Sequence, residues 1–419
     1  MIPALSAAPL VRSLCAAAIV LAAMLPGVAA AWVASWAAAP LDYTQTMPLT
    51  GAATPPAIVF HDQTVRQRVP VTVSGSRVRV RFSNLFGAEP LHVSMASVGR
   101  STGGDAVSPR WLRTLRFAGR DDLSIAPGAE AWSDPVALPV RPGQMLAVSF
   151  HLDRPTRVTT GHYPLMVPAW VAPGNAVNSP RLQAPQPSAW NPVVTGVDVA
   201  GGLPAHLVVA FGDSITEGAT AADAAERRYP DRLAERLRDR PEQRVAVINA
   251  GISGNRLLFD RNGPRGLARF ERDVLGQSGV THAIVLIGIN DIGYGTAFGE
   301  RQPALVPPNE VASVAQVTDG LQQLVRMARE RGVKILLGTL LPFKGAPYWS
   351  EENEAKRQAV NRWIRGLQSV DVVDFDAALR SADDPLRLDP LLDSGDHLHP
   401  NDAGYAAMAD AVDLQELQE

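Results

Sequence analysis

A serine, a histidine and an aspartate of this sequence have the types and the spacing that nucleophilic catalysis requires. The hydroxyl of Ser214 becomes a nucleophile only when a base accepts its proton. The imidazole of His399 is suited to that task near neutral pH. Asp396 precedes His399 by three residues, so both side chains can project from a single turn. The carboxylate can then hold one imidazole nitrogen and leave the other for Ser214. These three residues predict acyl transfer through a covalent intermediate.

Acyl transfer also requires hydrogen-bond donors for the oxyanion of its tetrahedral intermediate. The backbone N–H groups of Ser214 and Gly254 and the side-chain amide of Asn290 are donors of the right kind. The loss of one such donor typically costs about 3–4 kcal/mol of transition-state stabilisation. Because glycine has no side chain, residue 254 would let the main chain approach the substrate closely. The predicted oxyanion hole is therefore Ser214, Gly254 and Asn290.

Several neighbouring residues offer alternatives to this assignment. His397 lies two residues before His399 and is expected to point elsewhere. Asp213 and Asp291 are expected to hold their own turns by local hydrogen bonds. Ser253 sits in a glycine-rich turn without the signal of a nearby base, and we expect it to be structural.

Other kinds of catalytic site find less support in the sequence. The aspartates and histidines between 393 and 399 would suit a metal, but a metal site leaves the serine, glycine and asparagine motifs unexplained. The α/β-hydrolase signature Gly-x-Ser-x-Gly is missing, because Thr216 stands two residues after Ser214. No Gly-x-Gly-x-x-Gly follows a predicted strand, so dinucleotide binding has no support. We predict an enzyme with no metal and no cofactor.

The second half of the chain alternates apolar strands with amphipathic helices. The predicted strands are 207–211, 245–249, 282–287, 334–340 and 370–375. Two helical faces are formed by Val317, Leu321, Leu324, Val325 and Ala328, and by Ala355, Ala359, Val360, Trp363, Ile364 and Leu367. Such alternation predicts a parallel sheet covered by helices on both faces. The carboxyl ends of its strands share one edge, where the predicted site residues would converge.

Four ordered blocks in this half resemble those of the GDSL, or SGNH, hydrolase family. They are Gly212-Asp213-Ser214-Ile215, Gly254, Gly288-Ile289-Asn290-Asp291, and Asp396 with His399. The resemblance spans about residues 207 to 415 and implies a flavodoxin-like α/β/α three-layer fold with serine esterase chemistry. It also implies Ser214 as nucleophile, His399 as base and Asp396 as its partner, with Gly254 and Asn290 as oxyanion donors.

Residues 32–170 are predicted to form an all-β domain of the sandwich or jelly-roll type. The stretch 77–83 alternates arginine with apolar residues, which places the arginines on one face of a strand. Short strands separated by Gly and Pro are typical of antiparallel sandwiches. We expect the arginine face to be solvated, with a binding face for acidic polysaccharide as the alternative. Core or interface packing is expected for Trp32, Trp36, Trp111, Trp132 and Trp170, with stacking on sugar rings as the alternative. This half resembles, more loosely, the β-rich domain found ahead of the hydrolase domain in some bacterial relatives.

Residues 171–204 are predicted to be a linker or a long wrapping loop. They are rich in Pro, Gly, Asn and Ser and show little periodicity. Trp190 within them indicates that the segment packs against the rest of the protein. The hydrolase domain is predicted to occupy residues 205–419.

The N-terminus has the features of an export signal. Arg12 supplies the positive region, residues 14–28 are apolar, and Ala29-Ala30-Ala31 is a small-residue cleavage site. The apolar run is shorter than the ~20 residues of a membrane-spanning helix, and no later stretch is long and apolar enough to span a bilayer. The only cysteine, Cys15, lies in this signal, so the mature chain has no disulfide and no thiol nucleophile. We predict a signal peptide over 1–31 and a bacterial protein that is periplasmic or secreted.

The chain as a whole is predicted to be a carboxylic ester hydrolase. Its 419 residues carry a formal net charge of −3, which gives no electrostatic case for nucleic acid. The expected partner is a small-molecule or polysaccharide ester, including short acyl or O-acetyl esters of carbohydrates. An acyltransferase, a lysophospholipase or a thioesterase would use the same residues. A non-catalytic surface binding protein is the alternative from another class, and the complete set of site residues argues against it.

Overall fold

The computed structural model describes Met1 and residues 31–45, 57–164, 166–202, 206–221, 227–240, 244–298 and 302–418. The predicted signal peptide, 1–31, thus lies outside the described residues except at its two ends. Ala31–Glu419 form one compact unit, which has a β-rich half followed by an α/β half. Among the described residues, no helix combines the length and the apolar character needed to cross a membrane.

The β-rich half is a series of short strands separated by turns. In chain order they are β1 (Val33–Ala37), β2 (Leu41–Asp42), β3 (Ile58–Phe60), β4 (Gln63–Pro70), β5 (Gly75–Ser83), β6 (Leu91–Val93), β7 (Met95–Gly103), β8 (Ala106–Val107), β9 (Arg113–Leu115), β10 (Leu123–Ile125), β11 (Glu130–Trp132), β12 (Val136–Val140), β13 (Met145–Leu152), β14 (Thr156–Val158), β15 (Thr160–His162), β16 (Ala169–Pro173), β17 (Gln186–Pro187), β18 (Asn191–Pro192) and β19 (Val194–Ala200).

Two antiparallel sheets of this half pack into a sandwich. One has the order β1-β19-β5-β11, with β12 also paired to β5. The other has the order β17-β16-β4-β13-β7-β8, with β9 also paired to β7. Val78, Val80 and Phe82 of β5 are fully buried between them, and the Phe82 ring meets that of Phe150 in β13 edge-on, with 6.0 Å between centroids. The predicted β-sandwich is confirmed.

The arginine face of β5 differs from the expected solvated face. Arg77 is exposed, as expected. Arg79 instead forms an ion pair with Asp198 of β19 at 2.7 Å. Its guanidinium carbon also lies 4.5 Å from the ring centroid of Trp32 and 4.3 Å from that of Trp132. The cation is thus held between a carboxylate and two aromatic rings, because the neighbouring strand brings a buried aspartate opposite it.

The segment 171–204 is more regular than the predicted linker or wrapping loop. β16 crosses its N-terminal boundary, and β19 near its C-terminal end is a central strand between β1 and β5. Every residue of β19 is buried, including the polar Thr195 and Asp198. Trp190 is 2 % exposed, in line with the expected packing of this segment.

The α/β half alternates strands and helices as the sequence predicts. Its strands are β20 (His206–Gly212), β21 (Val245–Gly251), β22 (Val280–Leu286), β23 (Ala297–Phe298), β24 (Gln302–Ala304), β25 (Lys334–Gly338) and β26 (Asp371–Val373). Its helices are α1 (Ser214–Glu217), α2 (Tyr229–Arg238), α3 (Gly266–Phe270), α4 (Ile289–Gly293), α5 (Val314–Glu330), α6 (Glu351–Arg365), α7 (Phe375–Leu379) and α8 (Asp402–Asp410). A π-helical turn, Glu271–Leu275, continues α3.

Five of these strands form a parallel sheet in the order β21-β20-β22-β25-β26. This is the flavodoxin-like order 2-1-3-4-5, so the predicted fold class is confirmed. The order of the strands reverses at β20, and ligands bind outside the carboxyl ends of the strands at such a point.

Helix α5 shows how local signals set the packing around this sheet. Ser313 caps it, because its Oγ accepts from the backbone N–H of Gln316 at 3.2 Å while the Gln316 side chain accepts from the Ser313 N–H at 2.9 Å. The face that the sequence predicts is the face that is buried, through Val317, Leu321, Leu324, Val325 and Ala328. The helix thereby covers the sheet with one apolar stripe.

The two halves contact each other through hydrogen bonds as well as a shared apolar core. The backbone N–H of Ala34 in β1 donates to the carbonyl of Ser278 at 2.8 Å. Arg79 Nη2 donates to the hydroxyl of Ser278 at 3.1 Å, and Arg272 Nη2 donates to the carbonyl of Pro40 at 3.1 Å. The β-rich half is therefore held directly against the half that carries the predicted site.

Candidate active site

Ser214 lies where the strand β20 ends and the helix α1 begins. Gly212 closes the strand, and Asp213 caps the helix because its Oδ1 accepts from the backbone N–H of Ile215 at 3.1 Å. Ser214 is the first residue of α1 and is 7 % exposed. Its hydroxyl therefore stands at the carboxyl edge of the sheet, at the point where the strand order reverses.

Ser214, His399 and Asp396 form a continuous hydrogen-bonded chain, which we call the catalytic chain. His399 Nε2 lies 2.8 Å from Ser214 Oγ, and His399 Nδ1 lies 2.6 Å from Asp396 Oδ2. An ionised carboxylate can only accept, so in the neutral imidazole Nδ1–H donates to it. The lone pair of Nε2 is then left to accept from the Ser214 O–H. This is the proton arrangement that a general base for a serine nucleophile needs.

A tight turn directs the Asp396 carboxylate towards His399. Its Oδ1 accepts from the backbone N–H of Leu398 at 2.9 Å and of His399 at 2.8 Å, and from the Ser394 hydroxyl at 3.0 Å. Burial raises the pKa of Asp396, but the hydrogen bonds and charge of His399 and the backbone donors outweigh burial and hold that pKa well below its usual range. Asp396 is therefore ionised at neutral pH and orients the imidazole.

The turns after β21 and β22, which carry Gly254 and Asn290, flank the end of β20. Gly212 of β20 pairs with Gly251 of β21 on one side and with Leu286 of β22 on the other. The three strands end in register, so the three turns emerge side by side at the same edge of the sheet. The structure thus places the predicted oxyanion donors on the turns next to the predicted nucleophile.

Two tyrosines hold these donors in place. Asn290 Nδ2 donates to the carbonyl of Asn255 at 2.9 Å, and Asn290 Oδ1 accepts from the Tyr348 hydroxyl at 3.4 Å. The Tyr294 hydroxyl donates to the carbonyl of Gly254 at 3.2 Å. Gly254 has φ of +72°, and a Cβ at this position would lie 2.8 Å from the Tyr294 oxygen. The Asn290 amide has two N–H groups, so its second one can donate to a substrate.

Arg269 of α3 is a positioning residue that the sequence patterns do not reveal. Its guanidinium is fully buried and donates to the carbonyl of Gly212 at 2.7 Å, to the carbonyl of Ala250 at 2.8 Å and to Asn255 Oδ1 at 2.9 Å. Asp273 pairs with it at 3.1 Å. Burial lowers the pKa of Arg269 to about 10, so it is still a cation at neutral pH. One side chain therefore ties together the ends of β20 and β21, and the only sequence signal for it is the Arg-x-x-x-Asp spacing.

Two buried carboxyl groups stand beside the catalytic chain. Burial raises the pKa of Asp213 to about 7 and that of Asp291 to about 6. Both oxygens of Asp291 accept backbone N–H groups, from Leu257 at 2.7 Å and Leu258 at 3.0 Å. Asp213 Oδ2, in contrast, has no hydrogen-bond partner among the described residues. Both aspartates hold turns, and neither contacts the imidazole of His399 in the described hydrogen bonds.

His397 has its own carboxylate partner. His397 Nδ1 lies 2.6 Å from Asp393 Oδ2, and the imidazole is 46 % exposed. The histidine is in the left-handed backbone region, with φ of +62°, whereas His399 two residues later is buried against Ser214. Within the described part of the chain, no group of three or more His, Cys, Asp or Glu is arranged to hold a metal ion.

Comparisons with known proteins find similarity in this half of the chain. Residues 210–407 match the GDSL-like Lipase/Acylhydrolase family. A search of curated proteins finds no match to the chain. Similar solved structures include an acetylxylan esterase from Geobacillus stearothermophilus, with 25 % identity over 52 % of this chain and 96 % of that chain and a TM-score of 0.39. They also include a GDSL-like lipase from Bacteroides thetaiotaomicron, with 22 % identity over 49 % of this chain and 84 % of that chain and a TM-score of 0.36.

Proposed function

We propose that this chain, whose residues 210–407 are a GDSL-like lipase/acylhydrolase domain, is a serine esterase that hydrolyses carboxylic esters through an acyl-enzyme. The observation that carries the proposal is the catalytic chain, with 2.8 Å between Ser214 Oγ and His399 Nε2 and 2.6 Å between His399 Nδ1 and Asp396 Oδ2. A serine hydroxyl paired with an oriented imidazole is the arrangement that generates a nucleophile. A purely binding protein would not require it.

The proposed reaction assigns one role to each site residue. Ser214 Oγ bonds to the ester carbonyl carbon while His399 Nε2 takes the hydroxyl proton. The carbonyl electron pair moves to oxygen, and this oxyanion accepts from the N–H groups of Ser214 and Gly254 and from the Asn290 amide. The bond to the alcohol then breaks, and the departing oxygen takes the proton from His399. Water attacks the acyl-serine by the same route and releases the acid, while Asp396 stays ionised and holds the imidazole.

The finer proposal is that the substrates are short acyl or O-acetyl esters carried by carbohydrates. The catalytic chain reaches the surface of the protein at Asp396, whose side chain is 43 % exposed, and Ser214 at its other end is 7 % exposed. An ester attached to a large polymer can reach a surface site, whereas a long acyl chain binds best in a deep apolar cleft. Rates on aryl esters from acetate to palmitate and on acetylated oligosaccharides test this. Faster hydrolysis of palmitate than of acetate would overturn it.

We also propose that the protein is exported to the periplasm or secreted by a bacterium. The support is the positive, apolar and small-residue order of residues 1–31. N-terminal sequencing of protein recovered from the periplasm and medium of an expressing bacterium tests this, with a start after 31 as the expected result. Protein found only in the cytoplasm with Met1 retained would overturn it.

Substitution of Ser214 by alanine tests the esterase proposal directly. It removes the nucleophile, so kcat on p-nitrophenyl acetate should fall by about 10⁴-fold or more, with the unfolding temperature near that of the wild type. Ser97→Ala is the matched control, because Ser97 is a buried serine of β7 that donates to the carbonyl of Val177, far from the catalytic chain in sequence. Near-wild-type turnover by Ser214→Ala would refute the assignment.

A further inference from the structure

A buried polar chain runs from the β-rich half to the turn beside the proposed oxyanion hole. His162, at the end of β15, places its Nε2 2.6 Å from Glu217 Oε1. The other carboxyl oxygen, Oε2, accepts from the hydroxyl of Ser253. The side chains of His162 and Glu217 are 0 % and 3 % exposed. The proposed reaction itself does not use these three residues.

The hydrogen bonds of His162 determine where its protons lie. Nδ1 is 2.8 Å from the carbonyl of Ala39, which can only accept, so Nδ1 carries a hydrogen. Nε2 and Glu217 Oε1 would then face each other as two acceptors unless one proton lies between them. The pair therefore shares one proton, either as imidazolium and carboxylate or as imidazole and carboxylic acid, and is neutral overall in both forms. Because each polar atom of the pair has a partner, burial does not penalise it as it would an unpaired charge.

Glu217 and its partner Ser253 both lie on elements of the proposed site. Glu217 is the last residue of α1, the helix that begins at Ser214, and Ser253 directly precedes Gly254. A Cβ at Gly251 would overlap the backbone of Glu217, so α1 and the end of β21 touch without a side chain between them. A displacement of Glu217 would therefore change the separation between the proposed nucleophile and a proposed oxyanion donor.

We propose that His162 is a positioning residue of the esterase site, through which the β-rich half holds the Ser214 helix and the Gly254 turn at the separation that the oxyanion requires. This inference rests on the proposed function. Groups behind a catalytic residue fix its orientation, and their loss lowers activity although they never touch the substrate. In this proposal the β-rich half positions the active-site residues without contacting the substrate.

Substitution of His162 by alanine is the first test. It should lower kcat on p-nitrophenyl acetate by about 10- to 100-fold, because a misplacement of about 1 Å in a catalytic group can cost about 100-fold. KM should change by less than about twofold, since the oxyanion does not exist in the bound ester. A kcat equal to that of the wild type would overturn the proposal.

His151→Ala is the matched control for His162→Ala. His151 of β13 is also buried, and it hydrogen-bonds to Ser94 at 2.7 Å and to Asp62 at 3.0 Å, both within the β-rich half. The variant loses a comparable buried imidazole but no contact with α1 or the Gly254 turn. Its kcat and KM should equal those of the wild type. A loss of kcat as large as that of His162→Ala would show a general effect of instability and would overturn the proposal.

Two substitutions of Glu217 distinguish a positioning role of the His162–Glu217 pair from a general loss of structure. They also test the proposal if His162→Ala does not fold. In Glu217→Gln, the amide can donate to His162 Nε2 and accept from Ser253, so every hydrogen bond is rebuilt without the shared proton. Its kcat should stay within about threefold of the wild type. Glu217→Leu has a similar size without polar groups, and its kcat should fall by about 10- to 100-fold. Equal kcat values for the two variants would overturn the proposal.

Ser214→Ala distinguishes a failure of this inference from a failure of the proposed function. If Ser214→Ala is inactive while His162→Ala and Glu217→Leu are fully active, the esterase assignment stands and the positioning role is refuted. If Ser214→Ala hydrolyses the ester at the wild-type rate, the esterase assignment is refuted, and the positioning role that rests on it is refuted as well.

Discussion

Replacement of Asn290 by alanine measures the proposed oxyanion hole. One N–H of the Asn290 amide donates to the carbonyl of Asn255 at 2.9 Å, and Tyr348 donates to its Oδ1 at 3.4 Å. The orientation of the amide is therefore fixed before a substrate arrives, which is the condition under which a donor stabilises transition-state charge most. Asn290 is 2 % exposed, so water does not readily take the place of the lost amide.

The size of the effect follows from this geometry. Loss of one preorganised donor costs about 2.7–4 kcal/mol of transition-state stabilisation. At about 1.36 kcal/mol per factor of ten, kcat should fall by about 100- to 1000-fold. KM should stay within about twofold of the wild type, because the bound ester carries no charge on its carbonyl oxygen.

Initial rates on p-nitrophenyl acetate over a range of concentrations give both constants. Asn290→Asp keeps the shape but replaces the N–H donor with a carboxylate, so its kcat should be at least as low as that of Asn290→Ala. Tyr348→Phe measures the support of the amide separately from the donor: its kcat should fall by less than about fivefold, because the hydrogen bond to Oδ1 is long at 3.4 Å and Nδ2 still donates to the carbonyl of Asn255. A kcat for Asn290→Ala within about tenfold of the wild type would refute the donor role.

Two further predictions concern stability beside the catalytic chain. Arg269→Met should lower the free energy of unfolding by about 2–4 kcal/mol, because the carbonyls of Gly212 and Ala250 lose a donor and the buried Asp273 keeps only Arg272 of its two arginine partners. Urea unfolding measures this, and a loss under about 1 kcal/mol would contradict it. Asp213→Asn should become more stable relative to the wild type as pH rises. The folded-state pKa of about 7 lies above the ordinary 3.8, so the folded wild type binds more protons and loses stability between these values. Unfolding temperatures from pH 5 to pH 8 test this, and a constant difference between the two proteins would contradict it.

The five strands of the parallel sheet and the buried face of α5 could be predicted because their signals are local, whereas the face predicted for α6 includes Ala355, which is exposed. The predicted strand 207–211 is observed as His206–Gly212, and the apolar face predicted for α5 is the buried one. A parallel strand covered on both sides is a continuous apolar run bounded by turn residues, which a single sequence displays. The strand-end rule then brings distant residues such as Ser214 and Asn290 to one edge, since each follows its own strand.

In the β-rich half, the sequence pattern within a strand does not predict which polar residues are buried. Arg79 has the spacing of a solvated strand residue, yet it pairs with Asp198, which lies 119 positions later in the chain. β19 carries that aspartate inside a segment with the composition of a loop. Antiparallel sandwiches pair strands that are far apart in sequence, and the burial of a strand depends on its partners. No periodicity within one strand records which partner it will have.

The residues proposed to react could be predicted from the sequence, whereas the residues that hold them in place could not. Ser214, His399 and Asp396 could be found from sequence because few residue types do this chemistry and each follows a recognisable strand or turn. Arg269 and His162 are recognised only in the fold, where one joins the ends of two strands from α3 and the other reaches Glu217 from the β-rich half. A buried histidine in a β-strand has many ordinary explanations, and Ser94 and Asp62 around His151 provide one of them. What distinguishes His162 is the position of its partner on the helix that starts with the proposed nucleophile, and that relation exists only between the two halves of the chain.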